Sequence, residues 1–535
     1  MDAPKPPLRS SGGGIVVFGG GTATNSLVDV FERLRESRGC KLQYVIPISD
    51  NGGSSSELIR VFGGPGIGDV RSRLVRLIPT SETDAERTSL KSLFNHRLSS
   101  DTSSARAEWL DIVEGRHPLW DDISSEKREL IRSFFNHMNM EIVRRARPSS
   151  VFNFSKASIG NLFLTGARLF TGSLESAIYL LSSICAIPSR VATLPAINSN
   201  FTHHISAGLE DGSQITGQNA ISHPSAPTSL PDVVGGGPAA EETPSPSPSH
   251  LTPIIPTSRT PTPRPDLLLE ETEAHDRIED ATLPGSLPSL RKQYITFTKS
   301  SLQNDDLSSR ISRIWYINPY GHEIYPVANP KVLSSIAAAR TVVYSIGSLY
   351  TSLVPSLILR GVGAAVRAPH VRQKILILNS SIDRETGPSG ARALTAADFV
   401  RAIARACAES EGRGSGSQSH AEPDLDGSTP GQQPPMTEKK QGHAPPPELQ
   451  VSHDDGSDVF SVRDYVTHLL YLEGEGAPRV DKVELAALGV DCVRVYGRRQ
   501  EDGVLRYDEA GLAGALEAVV GKAEMARSRR NTSGQ

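Results

Sequence analysis

This sequence has few cysteines, no long apolar runs and no excess of basic charge. Its four cysteines lie far apart, with no Cys-x-x-Cys pair, so neither disulfides nor structural zinc is expected. No run approaches the roughly 18 apolar residues of a membrane-spanning helix. The opening residues, MDAPKPPLRS, show no features of a secretory or mitochondrial signal. These absences predict a cytoplasmic protein with reduced thiols and no membrane partner.

The charge balance excludes a further class of protein. Lysine and arginine number 56 against 60 aspartates and glutamates, a net charge of −4, whereas binding to nucleic-acid phosphates normally needs a basic face. We therefore expect no nucleic-acid partner. Glycine and proline, in contrast, are abundant, with 46 and 38 of 535 residues, so part of the chain is expected not to fold.

Two segments rich in proline, serine and threonine interrupt the pattern of strands and helices. They extend from about His223 to Pro265 and from about Glu409 to Ser457, and each has too few large apolar side chains to offset the entropy of ordering. We interpret both as disordered insertions within one fold, either tolerated surface loops or phosphorylated regulatory loops. The predicted division of the chain is a disordered N-terminus (1–13), an α/β domain in three parts (14–221, 291–408 and 458–525), two disordered insertions (222–290 and 409–457) and a disordered tail (526–535).

The remaining sequence alternates short β-branched runs with helical patterns, as βαβ units do. GIVVFGG (Gly14–Gly20) predicts a buried strand, Asn25–Glu36 an amphipathic helix, and LQYVIPISD (Leu42–Asp50) a second buried strand, which together form one right-handed crossover unit. The alternation continues to a final helical pattern at Leu512–Ala523. The sequence therefore predicts an α/β fold: a doubly wound, Rossmann-like, mostly parallel sheet with helical elaboration, chiefly over 105–147, and the two disordered insertions.

Glycine-rich loops follow the first two predicted strands, where ligands of open α/β sheets bind. The loop Gly19–Asn25 can bring backbone N–H groups to an anion at a helix N-terminus, although it has neither the lysine of a P-loop nor the third glycine of GxGxxG. In Ser49–Ser56, Asp50 can accept from a ribose or hold a metal, and the glycines after Asn51 can form a phosphate nest. The alternatives are a tight turn without a ligand and a solvated loop that caps a helix.

A third motif, Pro65–Arg73, leads from a Pro/Gly turn into a predicted helix. Asp69 suits a helix N-cap, and Arg71 suits a fork for a phosphate or for Asp50. The capping interpretation is favoured when the motif is taken alone.

Two more loops open helices. In Phe154–Leu162, Asn161 is placed to reach a base or sugar edge, and the alternative is a core-packed glycine with a local cap. In Ser345–Ser352, which follows the strand TVVYS, N–H groups and hydroxyls can form another anion site, and the alternative is an ordinary serine-capped helix start. Composition alone does not separate these interpretations.

Taken in order, these motifs resemble those of the CofD/YvcK family, which comprises 2-phospho-L-lactate transferases and gluconeogenesis-factor-like proteins. GGGT, DNGGSS, PGxGDVR, SxGNLF, VATLPAIN, LEDGSQITGQNAI, INP, GSLYTSLVPSLI and LNSSIDRETG carry the resemblance, which spans most of Ile15–Val520 without the insertions. The form SIGN (Ser158–Asn161) is similar to plant and fungal members, and thus to a eukaryotic-type member. YvcK-type members bind UDP-sugars and influence cell-wall and carbon metabolism.

In the transferase members a phospholactyl group passes from a guanosine diphosphate carrier to a deazaflavin hydroxyl with Mg²⁺. By resemblance, Asp50 and Asp69 are the candidate catalytic residues, and Asp50 is also the candidate Mg²⁺ ligand. From the motifs and the resemblance together, the candidate ligand-binding residues are Gly20, Gly21, Thr22, Asn51, Gly52, Gly53, Ser54, Arg71, Asn161, Gly347, Ser348 and Thr351. The ligand is expected to be a GDP- or UDP-linked small molecule, and the resemblance is consistent with a homodimer.

The sequence departs from the family in a segment that matters for the ligand. The ETDGYT of YvcK-type members is Glu385–Gly390 here, without the tyrosine, so UDP-sugar binding in the same pose is not expected. The leading hypothesis is a CofD-like protein that binds a nucleotide diphosphate ligand, with Mg²⁺-dependent transfer of a phosphorus-linked group as its reaction. The alternative is a non-catalytic, YvcK-like regulator that binds a UDP-sugar. The sequence leaves open whether the protein is an enzyme.

Overall fold

The structure, a computed structural model, describes most of the α/β part of the chain. It covers residues 13–49, 52, 54–79, 84–147, 151–222, 307–387, 393–412, 460–499, 503 and 505–532. Asp50, Asn51 and Gly53, three of the candidate site residues, lie outside these described residues, as do most positions of the two predicted insertions. For Ser54 only the backbone is described.

The strands follow one another along the chain with long helical intervals between some of them. In chain order they are Gly14–Phe18 (β1), Leu42–Ile46 (β2), Val191–Pro195 (β3), His204–Leu209 (β4), Gln214–Thr216 (β5), Ile311–Ile317 (β6), Glu323–Ile324 (β7), Ala339–Tyr344 (β8), Gln373–Ile377 (β9), His468–Tyr471 (β10), Asp491–Arg494 (β11), Gly497–Arg499 (β12) and Leu505–Tyr507 (β13).

The helices pack on both faces of the strands and in a separate helical layer. In chain order they are Thr22–Asn25 (α1), Val28–Arg38 (α2), Ser54–Phe62 (α3), Gly68–Arg76 (α4), Ala85–Asn95 (α5), Thr102–Glu114 (α6), Ser125–Arg145 (α7), Ile159–Thr171 (α8), Leu174–Ile184 (α9), Gln218–Ser222 (α10), Pro330–Ala338 (α11), Val354–Leu357 (α12), Val362–Arg367 (α13), Ala396–Ser410 (α14), Lys482–Ala487 (α15) and Glu509–Thr532 (α16). Short 3₁₀ turns lie at Pro118–Trp120, Arg384–Thr386 and Val462–Asp464, and a π-helical turn at Leu349–Leu353 leads into α12.

The main sheet has the order β11-β10-β9-β8-β1-β2-β3, and all of its neighbouring strands are parallel. Its central strands read as continuous apolar runs because helices cover both faces, as in most parallel sheets. From β1 the chain winds to β2 and β3 on one side, and from β8 it winds to β9, β10 and β11 on the other. The winding direction therefore reverses between β1 and β8, which leaves a crevice outside their carboxyl ends. The predicted doubly wound α/β fold is confirmed.

A second sheet, which the sequence did not predict, is antiparallel and has the order β5-β4-β6-β7. It packs against the helical segment that follows β8. The Tyr316 hydroxyl donates to the Pro355 carbonyl at 2.9 Å, and the Tyr350 hydroxyl donates to the Ile311 carbonyl at 3.1 Å. These buried bonds connect the second sheet to one wall of the crevice.

The predicted helical stretch over 105–147 resolves into α6, a 3₁₀ turn and α7. Gly115 ends α6 in the left-handed conformation, with a φ of 81°, and Pro118 begins the 3₁₀ turn. Trp109 of α6 packs against Phe135 of α7 with ring centroids 5.4 Å apart. No helix within the described ranges is both long and apolar enough to cross a bilayer. All four cysteines are free thiols, as the sequence predicts.

Candidate functional site

The candidate site is the crevice outside the carboxyl ends of β1 and β8. The loop Gly19–Gly21 leaves β1 and is bordered by two side chains from other elements, Asp69 and Ser352. A Cβ built on Gly20 would lie 2.8 Å from Ser352 Oγ and 2.9 Å from Asp69 Oδ2, and one built on Gly21 would overlap Asp69. Only glycine leaves room for these contacts. The glycines therefore have a packing role that is independent of any ligand.

Asp69 lies in the first turn of α4, where a carboxylate interacts favourably with the helix dipole. Its carboxylate accepts a hydrogen bond from the Gly21 N–H. Burial raises the pKa of Asp69, while the Gly21 N–H and the positive charges of Arg73 and Arg71 act in the opposite direction. The structure thus places a carboxylate, two guanidinium groups and the glycine loop next to one another.

Arg73 forms a hydrogen bond to the glycine loop and was not predicted as a site residue. Its side chain is fully buried, Nε donates to Asn25 Oδ1 at 2.6 Å, and Nη2 donates to the Gly20 carbonyl at 3.0 Å. The guanidinium also lies 4.2 Å from the centre of the Tyr44 ring. Burial lowers the pKa of Arg73 to about 10. The sequence could have identified Arg73 as a site residue, because it follows Asp69 by four positions and therefore lies on the same face of the helix.

Arg71 is buried but weakly partnered. Its Nε donates to Asn161 Oδ1 at 3.3 Å and its Nη1 donates to Asn95 Oδ1 at 3.4 Å, and no carboxylate of the described residues forms an ion pair with it. Burial lowers the pKa of Arg71 to about 10, the positive charge of Arg97 adds to the effect, and Asp69 opposes it. A buried guanidinium with only two long bonds to neutral oxygens retains unused capacity for an anion.

The glycine of the fourth motif explains how Arg71 reaches this position. A Cβ on Gly160 would lie 2.6 Å from the Phe94 carbonyl oxygen and 2.7 Å from Arg71 Cγ. The stem of Arg71 therefore passes directly over Gly160 at the start of α8. The packing alternative for this glycine is the one that the contacts support, and Asn161 beside it donates to Ser55 Oγ at 3.5 Å while accepting from Arg71.

On the opposite wall, the loop after β8 is held by short hydrogen bonds. The Gly347 N–H donates to Asn379 Oδ1 at 3.0 Å, and Asn379 Nδ2 donates to the Gly347 carbonyl at 2.8 Å. The Thr24 hydroxyl donates to the Ile346 carbonyl at 2.9 Å, which ties this loop to the first one. Gly347 has a φ of +143°, a value that residues with a side chain rarely adopt. The sequence did not identify Asn379.

The carboxylate of Glu385 accepts hydrogen bonds from the donors at the start of the helical turn after this loop. Its Oε2 accepts from the N–H groups of Tyr350 and Thr351 at 2.9 and 3.1 Å, and its Oε1 accepts from the Thr351 hydroxyl. Burial, followed by the charge of Asp383, raises the pKa of Glu385 to about 8. An internal carboxylate thus occupies the N–H groups that the sequence assigns to a ligand, and the assignment of Thr351 stays a prediction.

The remaining candidates differ in how far the structure describes them. Thr22 is exposed at the start of α1, and the Gly52 carbonyl accepts from the Ser55 N–H at 3.2 Å. Ser348 is partly buried, and its carbonyl accepts from the Ser352 N–H at 3.0 Å. Ser54 begins α3. Because Asp50 lies outside the described residues, its roles as catalytic residue and Mg²⁺ ligand stay predictions, as do those of Asn51 and Gly53.

A separate cluster of His96, Glu108 and His117 lies in the helical layer, although the sequence spacing gave no metal motif. His96 Nε2 is 2.6 Å and His117 Nε2 is 3.8 Å from Glu108 Oε1. His117 Nδ1 accepts from the Leu119 N–H at 3.1 Å, so in the neutral ring the proton is on Nε2. That nitrogen then faces Glu108 as a donor rather than as a metal ligand, and we interpret the cluster as hydrogen-bonded packing.

Comparison with known proteins identifies the class to which this fold and crevice belong. A model of the family described as 2-phospho-L-lactate transferase CofD matches residues 15–444. The uncharacterized protein YNL011C of Saccharomyces cerevisiae is 43% identical over 371 residues, which cover 69% of this chain and 79% of that protein. The chain belongs to the CofD family.

Two further matches are more distant. The gluconeogenesis factor of Halalkalibacterium halodurans is 26% identical over 207 residues, or 39% of this chain and 44% of that protein. The crystal structure of protein BH3568 from Bacillus halodurans aligns with 95% of this chain and 99% of its own length, with a TM-score of 0.50 and 18% identity. At that identity the structural likeness supports the fold alone.

Proposed function

We propose that this protein binds a nucleotide diphosphate ligand in the crevice between β1 and β8 and transfers a phosphorus-linked group from it with the help of Mg²⁺. The observation that carries the proposal is the weakly partnered Arg71 beside Asp69 and the glycine loop. The 2-phospho-L-lactate transferase for which the family is named performs a reaction of this class.

The residues of the crevice suit a diphosphate. Arg71 has donors available for phosphate oxygens, since its bonds to Asn161 and Asn95 are long. The N-terminus of α8 begins at Ile159 beside it and adds a favourable helix dipole. Positioning and charge neutralisation of this kind supply most of the catalysis in phosphoryl transfer, so no covalent nucleophile is required.

The metal of the proposal is Mg²⁺, which prefers carboxylate and other oxygen ligands. Asp69 is described at the crevice, and Asp50 follows β2, the strand that pairs with β1. These two carboxylates would hold the ion, with Asp50 as the ligand that the resemblance implies. When bound, Mg²⁺ would neutralise charge on phosphate oxygens. Burial raises the pKa of Asp69, and the charges of Arg73 and Arg71 oppose that rise and so favour the ionised form that a metal needs.

A second candidate function is a non-catalytic regulator that binds a UDP-sugar. The relative from Halalkalibacterium halodurans, named a gluconeogenesis factor, motivates it. The engagement of Tyr350 and Thr351 by Glu385 also favours it, because fewer donors of the β8 loop are then available for a transferred group.

Isothermal titration separates the two candidates. GDP, GTP and UDP-glucose are titrated with and without Mg²⁺ into the wild type, Asp50→Ala, Asp69→Asn and the control Asp121→Asn, whose side chain is exposed. The transferase proposal expects GDP binding that depends on Mg²⁺ and falls at least about tenfold, or 1.4 kcal/mol, in both site variants but not in the control. Binding of UDP-glucose that survives metal removal and Asp50→Ala supports the regulator instead. If none of the three nucleotides binds, both candidates are wrong.

A further inference from the structure

His203, the residue before β4, has a ring nitrogen that no described residue binds. Its Nδ1 is 3.0 Å from the Phe201 carbonyl oxygen, which can only accept, so Nδ1 carries the proton and donates. In the neutral ring Nε2 is then an acceptor, and it has no hydrogen-bond partner within the part of the chain that the structure describes. Burial lowers the pKa of His203 below its usual 6.5, which favours the neutral ring. The side chain is only partly buried, so a hydroxyl of a ligand can donate to Nε2.

The face of the second sheet that bears His203 is directed at the crevice. Side chains alternate between the two faces of an extended chain, so His203 shares the face of Ile205, which pairs with Tyr316 of β6. The rings of His203 and Tyr316 meet edge to face, with centroids 6.2 Å apart and planes at 89°. The Tyr316 hydroxyl donates to the Pro355 carbonyl in the crevice wall and also interacts with Ser49. His203 therefore lies close to the loop that follows β2.

Helix α10 connects the second sheet to both sides of the crevice. Ser49 Oγ, in the loop after β2, donates to Gln218 Oε1 in the first turn of α10 at 3.2 Å. Near the other end of α10, the Ile221 carbonyl accepts from Arg384 Nε at 3.1 Å, in the 3₁₀ turn after β9. The second sheet and α10 thus lie across the carboxyl end of the main sheet, and His203 is on the side of β2.

This position is where a doubly wound fold places the sugar of a nucleotide. The phosphates lie at the glycine loop after the first strand, and the ribose extends toward the end of the neighbouring strand. Here that neighbour is β2, which pairs with β1 in parallel. We propose that His203 Nε2 accepts a hydrogen bond from a ribose hydroxyl of the bound nucleotide and so selects ribonucleotides. The inference rests on the function proposed above, and it applies equally to GDP-linked and UDP-linked ligands because both contain ribose.

The test is isothermal titration of the full chain with GDP, UDP and their 2′,3′-dideoxy analogues in the presence of Mg²⁺. One hydrogen bond between neutral groups changes affinity about threefold to tenfold. We expect His203→Ala to weaken ribonucleotide binding by this factor and to leave binding of the dideoxy analogue unchanged. The wild type should prefer the ribonucleotide by at least the same factor. His203→Gln, whose amide oxygen can accept near the position of Nε2, should retain most of this preference.

His322→Ala is the matched control, because His322 is an exposed histidine in the turn between β6 and β7 of the same sheet. It should change none of the affinities, and circular dichroism confirms that each variant is folded. Equal losses for a ribonucleotide and its dideoxy analogue in His203→Ala, or no loss for either, overturn the inference and leave the proposed function intact. If neither GDP nor UDP binds the wild type, the crevice is not a nucleotide site, and the proposed function fails together with the inference.

Discussion

The two walls of the crevice hold their polar groups in different ways. The arginine wall is made of Asp69, Arg71, Arg73 and Asn161. Two of these side chains, Arg71 and Asn161, form hydrogen bonds of 3.3 to 3.5 Å. The glutamate wall, made of Gly347, Thr351, Asn379 and Glu385, has backbone groups bound at 2.8 to 3.1 Å. Hydrogen bonds near 2.9 Å are close to the optimum, whereas those near 3.5 Å are weak.

The hydrogen-bonding groups of one wall therefore stabilise the fold, whereas those of the other wall are available to a ligand. On the glutamate wall each backbone donor described above already has a protein acceptor, so removing an acceptor should cost stability. On the arginine wall the Arg71 guanidinium is buried and forms no ion pair with a carboxylate of the described residues, so an anion that reaches it replaces weak bonds with strong ones. We expect mutations on the glutamate wall to change folding more than ligand affinity, and Arg71 substitutions to do the reverse.

The largest expected effect is on the glutamate wall. Glu385→Ala removes the acceptor for two N–H groups and one hydroxyl, and each buried donor left without a partner costs about 1–3 kcal/mol. We expect the free energy of unfolding to fall by about 4 kcal/mol in a urea titration.

Glu385→Gln is the matched control for this change. It keeps an acceptor oxygen of the same shape, so it should cost less than half as much, and its affinity for the nucleotide ligand should stay within about threefold of the wild type. If the free energy of unfolding falls by less than about 1 kcal/mol in Glu385→Ala, water replaces the carboxylate as the acceptor and this wall is accessible to solvent.

The next effect links packing to the arginine wall. Gly160→Ala places a methyl group 2.6 Å from the Phe94 carbonyl and 2.7 Å from Arg71 Cγ. Overpacking of this kind costs about 1–3 kcal/mol and should displace Arg71, so both the melting temperature and ligand affinity should decrease.

Gly514→Ala is the control, because a Cβ there meets nothing within 4 Å and the residue lies inside α16. The substitution should leave stability unchanged or raise it by up to about 1 kcal/mol. Equal melting temperatures for the two variants would contradict the contact between Gly160 and Arg71.

The parts of the fold that depend on local pattern could be predicted from the sequence. β1 and β2 are apolar runs followed by glycines, and the structure has them at Gly14–Phe18 and Leu42–Ile46. The four-residue strands β10 and β11 were missed, because HLLY and DCVR are too short for a clear pattern and become strands by pairing with the sheet.

The parts of the site that depend on distant contacts could not be predicted. Asn379 and Glu385 bind residues 32 to 35 positions away, and Arg73 reaches the Gly20 carbonyl across 53 positions. Their roles follow from the strand order, which places the loops after β1, β8 and β9 side by side. The glycines were predicted as phosphate contacts because a glycine-rich loop has the same sequence pattern whether a ligand or a side chain occupies the space beside it.

A smaller effect tests the open donors of the arginine wall. Arg71→Lys keeps the positive charge but loses the planar fork and its bonds to Asn161 and Asn95. We expect affinity for the nucleotide ligand to fall about tenfold, with a change in melting temperature of less than about 3 °C. Arg106→Lys, an exposed arginine of α6, should change neither quantity. A large loss of stability without a change in affinity would reverse the roles of the two walls.

Per pH unit, the smallest effect is a pH dependence that belongs to the glutamate wall. Burial raises the pKa of Glu385 from 4.5 to about 8, so between these values the unfolded chain is ionised at this residue while the folded chain holds the proton. Folding then takes up a proton, and this contribution to stability is complete below pH 4.5 and is lost as the pH rises through about 8. The wild type should therefore lose stability relative to Glu385→Gln across this range, by at most about 1.4 kcal/mol per pH unit and by less where Asp383 shares the proton. Melting temperatures of both proteins from pH 5 to about 8.5 measure the difference, in which the other titrating groups cancel. A difference that stays constant or changes in the opposite direction would show that Glu385 is ionised in the folded protein, and its three hydrogen-bond donors would then act as an anion site already filled by the chain itself.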